Sequence, residues 1–195
     1  MSEFTNIPMF PLSIFPLPGE MVPLHIFEPR YRQLLEDAET RDITFGIYYN
    51  HTTNTDKLGA LVKLESVIKR YKTGESDIIV KCMDLFTMDK LYRTHKDKFY
   101  PGGDVTFWKV DRLKVMSNSL KEYFDQYHEW LKITHSDKVV SLFDVANELS
   151  LGFDERIKFV NLSADKQESY LINQIKYQIK LMRQAENAKD IFHLN

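Results

Sequence analysis

Apolar and polar positions divide the chain into a proline-broken, strand-rich front and a helical back. Over residues 1–29, Ile7, Phe10, Leu12, Ile14, Phe15, Leu17, Val22, Leu24, Ile26 and Phe27 are interleaved with Pro8, Pro11, Pro16, Pro18, Pro23 and Pro29. Proline donates nothing to a sheet ladder, so this stretch predicts short edge strands broken by turns, clearest at Pro18-Gly19. Pro29 suits a first helical position. Tyr31, Leu34, Leu35 and Ala38 follow at three- and four-residue spacing, which predicts an amphipathic helix of about three turns.

From Ile43 the period shortens to that of strands. Ile43–Tyr49 is β-branched and aromatic and ends in the polar loop His51–Asp56. Leu58–Tyr71 continues with an irregularity in mid-strand, Thr73-Gly74-Glu75 reads as a hairpin turn, and Ile78, Val80, Cys82, Leu85 and Phe86 lie beyond it. Val105–Val115 reads as a further strand. The charged stretch Lys90–Gly103 between them reads as a loop or linker. Several strands with turn-rich joints and one early helix predict a small antiparallel barrel or pseudo-barrel.

Beyond about residue 117 the spacing becomes helical. Ser119 with Glu122 has the form of a capping box ahead of Leu120, Tyr123, Phe124, Tyr127, Trp130 and Leu131. Ser141 with Asp144 repeats it, and Gly152 supplies a stop. Asp154–Leu162 predicts a short helix whose adjacent acids favour its N-terminus. Ser163 opens a long one to about Lys189, with Leu171, Ile172, Ile175, Ile179 and Met182 on its apolar side. The expected division is 1–116 for the β part and 117–195 for the helical part.

Charge and composition narrow the function classes. Twenty-six basic groups face 28 acidic ones in 195 residues, a net charge of −2, so no strong field steers the chain toward nucleic acid or an anionic membrane. The single cysteine, Cys82, excludes an intrachain disulfide and suits a reducing compartment. The start Met1-Ser2-Glu3-Phe4 lacks the basic residues and apolar run of a signal peptide, and no apolar stretch approaches the roughly 18 residues of a membrane span. A cytoplasmic location is expected.

Catalytic chemistry finds little support. The seven glycines at 19, 46, 59, 74, 102, 103 and 152 begin no phosphate-binding loop, which argues against an ATPase. His128-Glu129-Trp130-Leu131-Lys132 approaches a zinc helix, but Lys132 stands where the second histidine belongs and would repel the metal. His25, His51, His95, His135 and His193 are dispersed, and His25 reads as a core or rim histidine bonded locally. Cys82 between Val80, Lys81 and Met83 reads as a structural strand residue. Neither a catalytic group, a metal nor a cofactor is expected.

Two features suit binding. Lys69, Arg70 and Lys72, and the stretch Lys90, Arg93, Lys96 and Lys98, are basic with Tyr71, Tyr92, Phe99 and Tyr100 interleaved, a mixture that serves nucleic acid. Glu75, Asp77, Asp89, Asp97 and Asp104 offset it. Phe10, Phe15, Phe27, Tyr48 and Tyr49 form an apolar surplus that either fills a barrel or presents a patch to extended polypeptide.

Three segments carry a resemblance beyond composition: Ile7-Pro8-Met9-Phe10-Pro11-Leu12, Phe15-Pro16-Leu17-Pro18-Gly19-Glu20, and Pro23-Leu24-His25-Ile26-Phe27-Glu28-Pro29-Arg30-Tyr31. In that order they resemble the N-terminal, substrate-binding domain of Lon proteases. Phe45-Gly46-Ile47, Leu58–Val62, the hairpin about Gly74, Ala146–Leu151 and Glu155–Val160 extend the resemblance over nearly the whole chain. Around Cys82–Phe86 the glycine and arginine frequent in that family are missing. Full-length Lon proteases continue into an ATPase module and a protease domain with a serine–lysine dyad, and the chain through Asn195 contains neither. The resemblance implies a stand-alone α+β domain: a PUA-like β-barrel with one early helix, then a helical bundle with a long last helix. It implies non-catalytic recognition of unfolded chains, degrons or a partner protein such as a protease. Phe10, Phe15, Phe27, Tyr48 and Tyr49 are the candidate contacts. PUA domains proper bind RNA, so the alternative is RNA binding through Lys69, Arg70, Lys72 and Arg93. For Phe27–Tyr31 the residue chemistry predicts structural roles: Phe27 buried, Glu28 at the helix N-terminus, Pro29 presetting the first turn, Arg30 paired with a carboxylate and Tyr31 packed on the barrel.

Overall fold

One long strand, β5 (Ser76–Tyr92), organises the N-terminal half. The computed structural model describes residues 4–111, 114–133 and 141–193, with side chains through Asn187. The chain divides into two compact units, residues 1–111 and 112–195. In the first, β4 (Leu58–Arg70) runs antiparallel along one edge of β5, while two strands share the other edge. Ser76–Lys81 pair with β2 (Met21–Ile26), and Phe86–Tyr92 pair with β6 (Gly102–Phe107). β3 (Thr44–Tyr49) joins β4, and β1 (Thr5–Leu12) lies between β3 and β6. The ring β5–β4–β3–β1–β6 therefore returns to β5 and leaves β2 as the outermost strand. Closure hides the edges that would otherwise template further pairing.

The ring is mixed, because β1 and β3 run parallel from Met9↔Gly46 to Leu12↔Tyr49. A parallel pair needs a long crossover, and here β2 and helix α1 (Pro29–Arg41) supply it. β1 also corrects the edge-strand expectation for its prolines, since it is flanked on both sides. It pairs with β6 over Thr5–Pro8 and with β3 over Met9–Leu12. The Met9 N–H donates to Pro101 O on the β6 side at 2.8 Å. Strand alternation then aims the Pro11 nitrogen past the end of β6 pairing and the Pro8 nitrogen to where β3 pairing begins. Neither proline breaks a ladder bond.

Inside the ring Ile7, Met9, Phe86, Met88 and Val105 pack together. Gly46 and Gly59 press on the Phe86 ring so closely that a Cβ at Gly59 would stand 2.3 Å from it. The irregularity in β4 is three register shifts against β5, at Leu61/Val62, Leu64/Ser66 and Val67/Lys69. Gly19 (φ 87°) and Gly74 (φ 89°) form the turns read from the sequence, each in a conformation that disfavours a Cβ.

Two strand limits differ from the reading. β5 runs on to Tyr92 and β6 begins at Gly102, so only 93–101 is loop, because cross-strand pairing outweighs the local charge. β6 ends at Phe107, beyond which Asp84 accepts the Lys109 and Val110 N–H groups. Residues 112 and 113 of the longer strand expected there lie outside the described residues.

The second unit holds α2 (Asn118–Leu131), α3 (Leu142–Glu148), α4 (Phe153–Val160) and α5 (Ala164–His193). Leu120, Phe124 and Tyr127 are buried from α2, and Leu171, Ile175 and Ile179 from α5. The Tyr127 hydroxyl donates to Gln178 Oε1 at 2.9 Å. Ser141 and Asp144 form the expected capping box, but α2 is capped by Ser117 rather than Ser119. Gly152 is the N-cap of α4 rather than the stop of α3, and its N–H donates to Glu155 at 2.8 Å.

Candidate functional site

Where β1 and β5 end and α1 begins, the first unit carries an open groove of about 660 Å³. Phe10 comes from β1, Tyr31 and Arg30 from the first turn of α1, Leu91 from the end of β5 and Arg93 from the loop just beyond it. Pro29 fixes the start of α1, and the Tyr31 and Arg32 N–H groups both donate to Glu28 O at 3.0 Å. This seats the Tyr31 ring 4.1 Å from that of Phe10. Burial pushes the Tyr31 phenol up, only partly opposed by the Arg30 charge. The Arg30 guanidinium lies 4.6 Å over the Tyr31 ring and donates twice to Glu28 Oε2, at 2.9 and 3.0 Å. Leu91 is 42% exposed, a large apolar side chain left facing solvent at the groove. Arg93, also exposed, makes no hydrogen bond or ion pair among the described residues. The lining therefore combines an apolar floor, one neutralised arginine and one arginine with its charge uncompensated.

The outward side of β2 forms a separate surface. Alternation along Met21, Pro23, His25 and Phe27 leaves all four exposed, Phe27 at 56%. This corrects the expectation that Phe27 is buried. His25 is a rim residue, with Nδ1 2.6 Å from Asp77 Oδ1 and its ring edge-on to Tyr71. The Tyr71 hydroxyl donates to Asp77 Oδ2 at 2.7 Å, so hydrogen bonds from His25 and Tyr71 hold the Asp77 carboxyl below its usual range. Arg32 fastens the adjacent hairpin, donating to Phe27 O at 2.9 Å and to Thr73 O at 3.0 Å.

The five aromatic candidates do not form one patch. Phe10, Phe15 and Tyr49 are buried, Tyr48 is half-buried against the barrel core, and only Phe27 is well exposed. Of the five, Phe10 alone lines the groove. The four basic candidates also separate. Lys69, Arg70 and Lys72 stand at the β4–β5 hairpin, where Arg70 is bonded to Glu39 and the Lys69 ammonium lies 4.3 Å over the Tyr71 ring. Arg93 lies just beyond the other end of the 17-residue β5. Arg30, Tyr31 and Leu91 complete the groove. Arg30 and Tyr31 were read as structural, and Leu91 as part of a linker. The register shift between Met88 and Lys90 breaks the two-residue period just before Leu91, so alternation carried from Phe86 misplaces it.

Cys82 is buried with Sγ 3.6 Å from Pro16 O, and His128 Nε2 lies 2.6 Å from Glu148 Oε2. Among the described residues no three His, Cys, Asp or Glu side chains gather as a metal site. Among them, too, no helix is long and apolar enough to cross a membrane.

The fold is similar to that of a Lon N-terminal domain protein from Xanthomonas campestris, with a TM-score of 0.62 at 20% identity, over 81% of this chain and 90% of that one. The N-terminal domain of the Mycobacterium avium complex Lon protease gives 0.61 at 14% identity, over 88% of this chain and 98% of that one. No curated protein sequence matches the chain. The family model described as the ATP-dependent protease La (LON) substrate-binding domain matches residues 6–191. A barrel closed through β5, followed by a helical unit and matched by that model over nearly its whole length, belongs to the family of Lon substrate-binding domains.

Proposed function

We propose that the chain is a non-catalytic polypeptide-recognition module that holds short extended segments of unfolded or partner proteins in the groove between β1, β5 and α1. The observation that carries this reading is Leu91, exposed at the groove formed with Phe10 and Tyr31. A groove lined by apolar and polar groups in similar measure suits an extended peptide, which brings both apolar side chains and polar backbone groups. Family membership supports the same class of ligand. A shallow site of this size gives affinities of order micromolar, about 8 kcal/mol.

RNA binding through Lys69, Arg70, Lys72 and Arg93 is the competing reading, and the separation of Arg93 from the other three weighs against a continuous phosphate-tracking surface. The two are separated by fluorescence anisotropy with labelled unfolded casein and with a labelled RNA oligonucleotide, across a salt series. The expected result is casein binding that changes little with salt and falls at least tenfold in Leu91→Asp. No casein binding at high micromolar protein, or RNA binding that falls steeply with salt, overturns the proposal.

A further inference from the structure

From the uncompensated charge of Arg93 beside the apolar groove, we infer that the groove takes the C-terminal end of a polypeptide, its free carboxylate on Arg93 and its last apolar side chain against Leu91, Phe10 and Tyr31. This rests on the polypeptide reading and narrows it to one class of ligand. Three charged side chains line the groove, Glu28, Arg30 and Arg93, and the first two cancel. The Arg30 guanidinium is held by Glu28 through Nε and Nη2, at 3.0 and 2.9 Å, and covers the Tyr31 ring, so its charge is balanced within the groove. Arg93 is left as a net positive charge with no acceptor among the described residues. A guanidinium presents its N–H donors in a fork that fits a carboxylate, and such charge-assisted bonds are stronger than neutral ones.

The neighbours of Arg93 select which carboxylate. Leu91, near the end of β5, precedes Arg93 in the following loop by two residues, so cation and exposed apolar contact lie within about 7 Å along the backbone. A terminal residue carries its carboxylate and its side chain on one Cα and spans that distance alone. An internal aspartate or glutamate in an extended chain has its immediate neighbours on the opposite face, so its apolar contact must come from two residues away. A volume of about 660 Å³ also fits a short segment, as a chain end is, better than a long strand.

The test uses the full chain and three N-terminally labelled ten-residue peptides. One ends in Ala-Leu-Val with a free carboxylate, the second is its C-terminal amide, and the third is that amide with an aspartate two residues before the end. The free acid is expected to bind at least tenfold tighter than the plain amide. Arg93→Ala is expected to abolish that ratio while Arg93→Lys retains part of it, and circular dichroism melts report whether each variant keeps its fold. Equal binding of acid and amide, or an unchanged ratio in Arg93→Ala, overturns this inference and leaves polypeptide recognition standing. An internal-aspartate amide that matches the free acid overturns the terminal assignment. Failure of all three peptides to bind overturns this inference, and the polypeptide reading falls with it if unfolded casein also fails.

Discussion

The Tyr100 hydroxyl donates to the buried Asp37 carboxylate at 2.8 Å, tying the loop between β5 and β6 to helix α1. Lys98 Nζ lies 2.9 Å from the same carboxylate, and Arg41 reaches it from the next turn of the helix at 3.4 Å. Burial pushes the Asp37 carboxyl up, but the hydrogen bonds from Lys98 and Tyr100 and the charges of Arg41 and Lys98 outweigh it, so the group sits below its usual range. Burial and the same bond push the Tyr100 phenol far up. A lowered carboxyl adds stability that is complete above its unfolded value, about pH 4, and is lost as the pH falls through the folded value. Asp37→Asn is expected to cost about 3 kcal/mol at pH 7 by stranding Lys98, and Tyr100→Phe about 2 kcal/mol. In urea melts the gap between wild type and Asp37→Asn should narrow steadily below about pH 4. A gap independent of pH would show that the Asp37 charge does not stabilise the fold.

Phe86 fills the barrel because Gly59 and Gly46 leave it room. A Cβ at position 59 would stand 2.3 Å from the Phe86 ring and 2.9 Å from Ile47 O, so both ring and backbone would have to move. Gly59→Ala is expected to destabilise the protein by about 3 kcal/mol. Combined with Phe86→Leu it should lose less than the two single costs added, by at least about 1 kcal/mol, since the smaller side chain relieves part of the clash. Additive costs in the thermal or urea-melt cycle would place the strain elsewhere.

The fold was legible in the sequence where one residue type forces one conformation. Pro29 at the first position of α1, Gly19 and Gly74 in their turns and the Ser141–Asp144 box each act within a few residues. What depended on distant partners was harder to read. Pro8 and Pro11 mark an edge strand by local rules, yet β1 is flanked on both sides because its two halves pair on opposite edges. Lys90–Tyr92 look like linker by charge, yet they complete β5 against Gly102–Asp104. The groove was the least legible part. Its floor joins residues about 20 and 60 positions apart (Phe10, Tyr31, Leu91), and the register shift at Met88/Lys90 disguises which way Leu91 faces.

Asn54 shows a role that composition gives no hint of. In the polar loop between β3 and β4 its side chain is buried, its Nδ2 group donating to Tyr49 O at 2.9 Å and to Leu58 O at 2.8 Å, while Leu58 N–H donates to Asn54 Oδ1 at 2.9 Å. It thus clamps the last residue of one strand to the first of the next. Asn54→Ala strands all three backbone groups and is expected to cost about 3 kcal/mol, against less than about 0.5 kcal/mol for Thr55→Ala on the exposed side of the same loop. Urea denaturation of the two variants gives the comparison. Similar small losses would mean that water replaces the clamp.

Phe10 and Phe27, equal candidates in the sequence, should separate cleanly by experiment. Phe10 is buried with its ring against Tyr31, so Phe10→Ala removes a packed aromatic and is expected to cost about 3–4 kcal/mol. Phe27 projects from the outermost strand with its ring 6.0 Å from that of His25, and Phe27→Ser should cost less than about 1 kcal/mol. If the groove is the recognition surface, Phe27→Ser also leaves peptide affinity within about twofold of wild type, whereas Leu91→Asp, equally harmless to folding, weakens it at least tenfold. The reverse order, with affinity lost at Phe27 and kept at Leu91, would move recognition to the outward side of β2.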